Sequence, residues 1–214
     1  MKSFETDQGS KQKVRDSLVA QAKEHLPHVH KILTLPGREA LCVKTFRKHF
    51  PAATLRGVER NKEDWKKITS QGIDCIHGTV QDYSSQVTTP TLHHDVVFLD
   101  YFSFLNEDVL SGIESIVWNP YILHKNKQCI LGITLMKAIR QEKDEMLELI
   151  RNNIHLEVKE EPVNNLDMVG RALLSKIMTK NRKTLTSVEL LDSLEYSAGE
   201  GSSTMYFFCF KVLI

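Results

Sequence analysis

Long hydrophobic runs are absent from this chain of 214 residues. A membrane-spanning helix needs about 20 consecutive apolar residues, and no stretch of the sequence approaches that length. The amino-terminal segment MKSFETDQGSKQK also lacks the apolar core of a secretory signal. We therefore expect a cytoplasmic protein that does not associate with membranes.

Cysteine is scarce as well, and its four copies are widely separated. Cys42, Cys75, Cys129 and Cys209 each lie in an apolar segment, which predicts buried, reduced thiols and no disulfide framework. The chain also lacks an HExxH zinc helix, a GxSxG hydrolase elbow and a GxxxxGK[ST] phosphate loop. These absences argue against a metalloprotease, a serine hydrolase and a nucleoside triphosphatase.

Histidines occur in two groups that resemble metal-binding clusters. His25, His28 and His30 surround a proline, and His93 is followed by His94. Without paired cysteines or an HExxH helix, a metal site is the weaker interpretation. We expect these histidines at the protein surface and no bound metal.

Net charge is close to zero, at +1, but its distribution is uneven. Residues 1–67 hold 15 Lys and Arg against 8 Asp and Glu, whereas residues 68–214 hold 13 against 19. The basic residues on two predicted helices and the strand between them are Lys44, Arg47, Lys48, Arg56, Arg60, Lys62, Lys66 and Lys67. Such a surface suits phosphate groups or nucleic acid. Because Glu39, Glu63 and Asp64 are interspersed, ordinary solvated helix faces are the alternative interpretation.

Short apolar runs that end in polar or glycine-bearing turns are the strongest structural signal. Residues 96–99 of HDVVFLDYF are too few to span a membrane and too apolar for a surface strand, which predicts a strand buried on both faces. KILTLPGRE and ATLRGVERN have the same form. Buried strands of this kind form a parallel sheet between helices, and ligands bind beyond the carboxyl ends of the strands. We therefore place Gly37, Glu59 and Asp100 along one edge of the sheet.

The order of the predicted elements defines the fold class. Predicted strands cover residues 32–35, 54–59, 73–77, 95–99 and 128–134. Predicted helices cover residues 11–24, 38–50, 62–70 and 107–118, with a helical insertion at about 136–183 that holds two more. Apolar runs at 188–196 and 205–213, joined by SAGEGSS, predict an antiparallel hairpin. We expect one α/β domain over residues 1–214: a Rossmann-like, doubly wound, mostly parallel sheet of about seven strands, closed by that hairpin.

This layout, with an acid ending the second strand and FLDYF at the fourth, resembles the class I S-adenosylmethionine-dependent methyltransferase fold over roughly residues 11–214. The LPG, GVER and FLDY segments also look like those of small methyltransferase-like proteins carried by phages and mobile elements. The resemblance implies S-adenosylmethionine as cofactor. It implies that Pro36 and Gly37 meet the methionine part, Glu59 the ribose hydroxyls, and Thr79 or Asp82 of HGTVQDY the adenine.

Residue chemistry favours some of these roles more than others. A carboxylate such as that of Glu59 accepts strong hydrogen bonds from two neighbouring hydroxyls, although beside Arg60 it also fits a solvated loop residue. The loop LTLPGREA departs from the GxGxG pattern of the family, since Thr34 replaces the usual acid, Pro36 has no amide donor and only Gly37 remains. The sequence predicts either a modified cofactor pocket or a fold that has lost its ligand.

Asp100 and Tyr101 are the predicted catalytic residues. The resemblance implies that Asp100 accepts the hydrogens of an amine while Tyr101 stacks on a base. The alternative is that Asp100 caps the following helix at Asn106 and Tyr101 fills the core.

Three functions remain open. The first is an S-adenosylmethionine-dependent methyltransferase with DNA or RNA as a candidate acceptor. The second is a non-catalytic nucleic-acid-binding or adaptor protein on the same fold with its cofactor loop unused. The third is an enzyme that consumes S-adenosylmethionine without transferring the methyl group.

Overall fold

The computed structural model describes residues 8–89, 93–123, 127–138, 141–153, 165–179, 187–197 and 203–213. The helices are α1 Gln8–His25, α2 Leu41–His49, α3 Lys62–Ser70, α4 Val80–Gln86, α5 Glu107–Val117, α6 Gln141–Asn153 and α7 Asn165–Thr179. The strands are β1 Lys31–Thr34, β2 Thr54–Glu59, β3 Cys75–His77, β4 Val96–Asp100, β5 Gln128–Met136, β6 Ser187–Ser197 and β7 Thr204–Leu213. None of the helices in these segments combines the length and the apolar character needed to cross a bilayer.

The seven strands form one sheet in the order β3-β2-β1-β4-β5-β7-β6. Strands β1 to β5 pair in parallel, and β7 runs antiparallel to both of its neighbours, β5 and β6. The predicted fold, a Rossmann-like and mostly parallel sheet closed by an antiparallel hairpin, is confirmed. Residues 198–202, which connect the hairpin, lie outside the described residues.

Helices cover both faces of the sheet. On one face, side chains of α1, α2 and α3 pack against Val96 and Phe98 of β4. On the other, side chains of α4, α5, α6 and α7 pack against Val97 and Leu99. Because apolar residues of β4 alternate between two helix layers, the strand is buried on both sides, as its sequence predicts.

Helices α1, α2 and α4 differ from the predictions, and α1 begins three residues before its predicted start, at Gln8. Helix α2 begins at Leu41 and not at residue 38, because Ala40 before it adopts the left-handed conformation (φ 50°, ψ 36°). Helix α4 is short, with 7 residues, and has no sequence prediction. Its amino terminus is fixed by a capping box between Thr79 and Asp82.

The buried polar residues confirm one prediction and overturn another. All four cysteines are free and buried, as predicted. The prediction of surface histidines is wrong for His93 and His94, which are 7% and 2% exposed, since they lie where the chain enters the central strand β4. His94 Nε2 lies 3.3 Å from the Tyr83 hydroxyl, and His93 Nε2 lies 3.4 Å from the Asp95 carboxylate. Within the described residues, no three His, Cys, Asp or Glu side chains are grouped to hold a metal ion.

Candidate functional site

The carboxyl ends of β2, β1 and β4 lie side by side. Thr34, the last residue of β1, pairs with Gly57 on one side and with Phe98 on the other. Glu59 and Asp100 each lie two residues further along, so they stand at the same height on either side of the loop that follows β1. Neighbouring strands are about 4.8 Å apart, which separates the backbones of these two acids by about 10 Å. The structure thus brings Gly37, Glu59 and Asp100 to one edge.

Glu59 ends β2 with one carboxylate oxygen engaged. Its Oε1 accepts a hydrogen bond of 2.7 Å from the Asn61 N–H, and no side chain of the described residues donates to Oε2. Burial raises the pKa of Glu59 and the charge of Asp64 adds to the rise, while the Asn61 N–H and the charge and backbone N–H of Arg60 oppose it. A partly buried carboxylate with one oxygen that no other side chain occupies can accept further hydrogen bonds.

The loop between β1 and α2 offers hydrogen-bond donors. Leu35 N–H donates to the Phe98 carbonyl at 3.1 Å, and Ala40 N–H donates to the Gly37 carbonyl at 3.1 Å. In the described part of the chain, no acceptor is bonded to the N–H groups of Gly37, Arg38 or Glu39. Gly37 has φ 60°, the left-handed conformation that glycine adopts without strain. Although Pro36 has no amide hydrogen, three consecutive backbone donors remain at this edge.

Side chains of the same loop are attached to its neighbours. The Lys67 ammonium bonds to the Glu39 carboxylate, and Arg38 Nε lies 3.7 Å from Asp64 Oδ1, so both loop side chains reach toward α3. Pro36 is buried. A Cβ atom added at Gly57 of β2 would lie 3.1 Å from Pro36 Cγ. The loop therefore contacts β2 through Pro36, which packs closely over Gly57.

Asp100, at the end of β4, is anchored by one oxygen. Its Oδ1 accepts a hydrogen bond from the hydroxyl of Thr134, the residue that pairs with it across β5. Thr134 is buried. No described residue donates to Asp100 Oδ2. The carboxylate is thus fixed in orientation and keeps one oxygen for a partner beyond the strand.

Tyr101 turns away from this edge into the core. Its ring packs with the apolar layer around α5, and a Cβ atom added at Gly112 would lie 2.4 Å from its hydroxyl oxygen. That hydroxyl is buried without a hydrogen-bond partner among the described residues, and burial raises its pKa. The next residue, Phe102, is 50% exposed, and its ring centroid lies 5.9 Å from Lys11 Nζ. Of the two aromatic residues, Phe102 is the one with a ring open to solvent.

Thr79 and Asp82, the predicted adenine contacts, lie beyond β3. Gly78 N–H donates to the Glu59 carbonyl at 3.0 Å, which holds this turn next to β2. The Asp82 carboxylate accepts from both the backbone N–H and the hydroxyl of Thr79, each at 2.8 Å. These bonds lower the pKa of Asp82. Both side chains therefore stabilise the start of α4, and their role toward a ligand stays a prediction.

The basic surface divides into paired and unpaired residues. Lys67 pairs with Glu39, Lys66 with Glu63 and Arg56 with Asp74, while Arg47 donates to the Gly72 carbonyl. Within the described residues, the basic residues of this group without a carboxylate at ion-pair distance or a carbonyl partner are Lys44, Lys48, Arg60 and Lys62. Arg60 and Lys62 follow Glu59 closely, so part of the unpaired charge lies at the candidate site.

Two residues that shape the site are not among the residues predicted from the sequence. Thr134 orients Asp100 from the neighbouring strand, and Gly57 makes room for Pro36. Gly57 belongs to the GVER segment and Thr134 to the fifth predicted strand, but the contact that each makes depends on which strands become neighbours. The glycine inside an apolar strand is the one available signal, since such a glycine often marks a close approach.

The strand order and the reversed β7 match the fold of class I S-adenosylmethionine-dependent methyltransferases. Solved structures with this fold cover nearly the whole chain. The putative methyltransferase yhhF from Escherichia coli is 12% identical, with a TM-score of 0.54 over 94% of this chain and 84% of that one. The N-methyltransferase NodS from Bradyrhizobium japonicum WM9 is 8% identical, with a TM-score of 0.54 over 95% and 97%.

A third similar structure contains a ligand. The plantazolicin methyltransferase BpumL, in complex with a pentazolic desmethylPZN analog and SAH (S-adenosylhomocysteine), is 12% identical, with a TM-score of 0.55 over 94% of this chain and 83% of that one. Neither a protein-family model nor a curated protein matches the sequence. At these identities, the likeness establishes the fold.

Proposed function

We propose that this protein is an S-adenosylmethionine-dependent methyltransferase. The observation that carries the proposal is the distribution of free polar groups along one edge. Donors lie on the loop after β1, at Gly37, Arg38 and Glu39, and carboxylate oxygens without a side-chain donor among the described residues lie on Glu59 and Asp100 to either side. A ligand fits this order of groups if it has hydroxyls at one end, which donate to Glu59. At the other end, the molecule that receives the methyl group donates a hydrogen bond to Asp100.

These residues fit the donor in named roles. Glu59 Oε2 is available for ribose hydroxyls, and the three loop amides are available for acceptor oxygens of the methionine part. Thr79 and Asp82 border the adenine side of the same edge through the turn after β3. When bound, S-adenosylmethionine supplies a methyl group whose bond to sulfur breaks with both electrons left on sulfur, while the acceptor forms the new bond to carbon and loses a proton.

Asp100 is the proposed catalytic residue. With Oδ1 held by Thr134, Oδ2 accepts the N–H or O–H hydrogen of the methyl acceptor and aligns its lone pair. Tyr101 contributes by packing against Gly112 of α5, and the exposed Phe102 provides an apolar ring beside the acceptor. Orientation and exclusion of water supply much of the rate in such a transfer, which agrees with a site that has few ionisable groups.

We propose nucleic acid as the acceptor class. Support comes from Lys44, Lys48, Arg60 and Lys62, which have no carboxylate partner among the described residues and attract phosphate groups. The alternative function, a nucleic-acid-binding or adaptor protein without catalysis, draws on the same surface and on the loop after β1, where Pro36, Arg38 and Glu39 replace a glycine-rich sequence.

Cofactor binding is the decisive test. Thermal unfolding with S-adenosylmethionine or S-adenosylhomocysteine should give a higher Tm, because a ligand that binds only the folded state stabilises it. Glu59→Ala should weaken S-adenosylhomocysteine binding at least about tenfold, since hydrogen bonds to a charged group contribute about 1.5–3 kcal/mol each. Glu63→Ala is the matched control, because that carboxylate is 79% exposed on α3 and should leave the Kd unchanged.

A substitution of Asp100 distinguishes an effect on cofactor binding from an effect on catalysis. Asp100→Asn should leave the Kd for S-adenosylhomocysteine within about twofold and lower methyl transfer to oligonucleotides by about 100-fold or more, the usual size of a general-base contribution. If neither donor nor product raises the Tm of the unaltered protein, the methyltransferase proposal is wrong and the adaptor function is favoured.

A further inference from the structure

Arg15 of α1 is a buried cation without an ionic partner among the described residues. It is 5% exposed, and no carboxylate of those residues lies within 4.0 Å of its nitrogen atoms. Its one hydrogen bond to them is weak, from Nη1 to the neutral Gln12 Oε1 at 3.4 Å. Arginine is rarely buried without a partner, because removing its charge from water costs several kcal/mol. The charge of Arg15 therefore has no ion partner among the described residues, and an anionic group of a ligand would provide one.

Helix geometry places Arg15 at the level of the candidate site. Lys11, Arg15 and Leu18 are spaced to share one side of α1. Lys11 Nζ lies 5.9 Å from the Phe102 ring centroid, whereas Leu18 and Phe98 both lie within 3.0 Å of where a Cβ on Gly132 would stand. Helix α1 thus runs along β4 from Phe102 toward Phe98. Arg15, between Lys11 and Leu18, lies near the height of Asp100.

The causes of the pKa shifts of two nearby groups, Cys42 and Tyr196, agree with this placement of Arg15. Burial raises the pKa of Cys42 to about 11; a hydrogen bond from Thr34 opposes the rise, the charge of Asp100 adds to it and that of Arg15 reduces it. Burial likewise raises the pKa of Tyr196, with Asp100 adding to the rise and Arg15 reducing it. Two separate groups therefore feel both charges, yet Arg15 and Asp100 do not form an ion pair. Arg15 and Asp100 therefore lie near the same two groups, Cys42 and Tyr196.

We propose that Arg15 binds an oxyanion, a carboxylate or a phosphate, of the ligand that occupies the edge formed by Glu59 and Asp100. The location of that ligand rests on the proposed function. Arginine presents a fork of N–H donors that matches two oxygens of either group. The oxyanion has two possible sources: the amino-acid carboxylate of the methyl donor, or an acidic group of the acceptor.

The test compares Arg15→Met and Arg15→Lys with Lys13→Met, which removes one positive charge from an exposed position of the same helix. Three probes are used: S-adenosylhomocysteine, 5′-methylthioadenosine, which lacks the amino-acid part, and inorganic phosphate. Each is measured by calorimetry and by its effect on Tm. Arg15→Met should keep or raise the Tm of the ligand-free protein, because an uncompensated buried charge is removed while an apolar stem is kept.

The same variant should bind S-adenosylhomocysteine about 10- to 100-fold more weakly, the range expected for charge-assisted hydrogen bonds, and 5′-methylthioadenosine within about twofold. That result assigns the oxyanion to the donor carboxylate. If instead both adenosine compounds bind as before and only stabilisation by phosphate is abolished, the oxyanion belongs to the acceptor. Arg15→Lys should lose less affinity for the probe whose binding Arg15→Met weakens. Lys13→Met should lose no affinity for any probe.

Two results overturn the inference. One is that Arg15→Met binds all three probes as the unaltered protein does. The other is that Arg15→Met lowers the Tm of the ligand-free protein and weakens the binding of both adenosine compounds equally. That result would indicate that Arg15 has a structural role. If the unaltered protein binds neither adenosine compound but phosphate binding depends on Arg15, the proposed function fails and the oxyanion site stands. If no probe binds, both fail.

Discussion

Each of the two carboxylates at the candidate site uses one oxygen in a hydrogen bond within the protein. Glu59 uses one oxygen to hold Asn61 N–H, and Asp100 uses one to hold Thr134. The second oxygen of each has no side-chain donor among the described residues. A side chain fixed through one atom loses little conformational entropy when its other atom binds, so in the proposed function both acids would bind a ligand at a low entropic cost.

At the opposite edge, His94 links stability to pH. Burial, followed by the charges of His93, Arg56 and Lys31, lowers its pKa to about 3, with Asp95 opposing. An unfolded chain, with a histidine pKa of about 6.5, binds the proton more readily than the folded protein. The stability contributed by neutral His94 is therefore present above pH 6.5 and is lost as pH falls toward 3, by about 1.4 kcal/mol per pH unit.

Chemical unfolding between pH 4 and 7 measures this loss. His94→Phe, which keeps an aromatic ring beside Tyr83, should flatten the dependence of the unfolding free energy on pH across that range. His28→Phe, at an exposed position, is the control and should keep the slope. Asp95, whose pKa is lowered to about 2 from 3.8 by hydrogen bonds that outweigh its burial, acts only below about pH 4. An unchanged slope in His94→Phe would show that His94 is not the group responsible.

At the scale of elements, the loop after β1 depends on a glycine in the neighbouring strand. A Cβ at Gly57 would lie 3.0 Å from Cys75 Sγ and 3.1 Å from Pro36 Cγ. Gly57→Ala should lower the unfolding free energy by about 1–3 kcal/mol, the usual cost of overpacking, and should weaken S-adenosylhomocysteine binding by displacing the loop. Calorimetry and urea unfolding measure the two effects.

A second glycine provides the comparison. Gly72 has φ +71° and no atom within 4 Å of an added Cβ. Gly72→Ala should cost about 1 kcal/mol through backbone strain alone and leave ligand binding unchanged. Equal effects of the two alanine variants on ligand affinity would mean that Pro36 does not couple the loop to β2.

Element boundaries show what sequence patterns determine. Strand β2 and helix α3 have the predicted limits, since turn residues flank an apolar run and Asn61 caps the helix. Helix α4 is not predicted because it has 7 residues, too few for a periodic pattern, and its capping residues Thr79 and Asp82 fit a ligand-binding role equally well. The predicted start of α2 is wrong because alanine gives no signal of a left-handed conformation.

Across the whole molecule, sequence predicts which strands form but only part of their order. An antiparallel hairpin is expected, and in the structure β7 lies inside the sheet while β6 forms its edge. The composition of the two strands accounts for this: β7 is buried along most of its length, and β6 is largely half-buried or exposed. The edge with Gly37, Glu59 and Asp100 follows from parallel strand order. The roles of Thr134 and Gly57 and the burial of Arg15 depend on contacts between distant segments, which sequence patterns do not predict.

Charge on the molecular surface gives a prediction for nucleic-acid binding. Arg60→Gln together with Lys62→Gln should weaken oligonucleotide binding and reduce the slope of log Kd against log salt by about 1 for each phosphate group that is no longer neutralised. Lys66→Gln is the control, because Lys66 pairs with Glu63 at 3.2 Å and should change neither quantity. Fluorescence anisotropy at several salt concentrations measures both. Equal weakening in the two variants would indicate general attraction without a defined surface.

The outermost strands of the sheet, β3 and β6, have features that disfavour pairing with another chain. Strand β3 has 3 residues, and β6 carries Glu189, Asp192 and Glu195 with an irregular register between Leu190 and Asp192. Short, acidic and bulged borders are poor templates for backbone pairing with another chain. We therefore expect the sheet to resist growth into fibrils at high protein concentration.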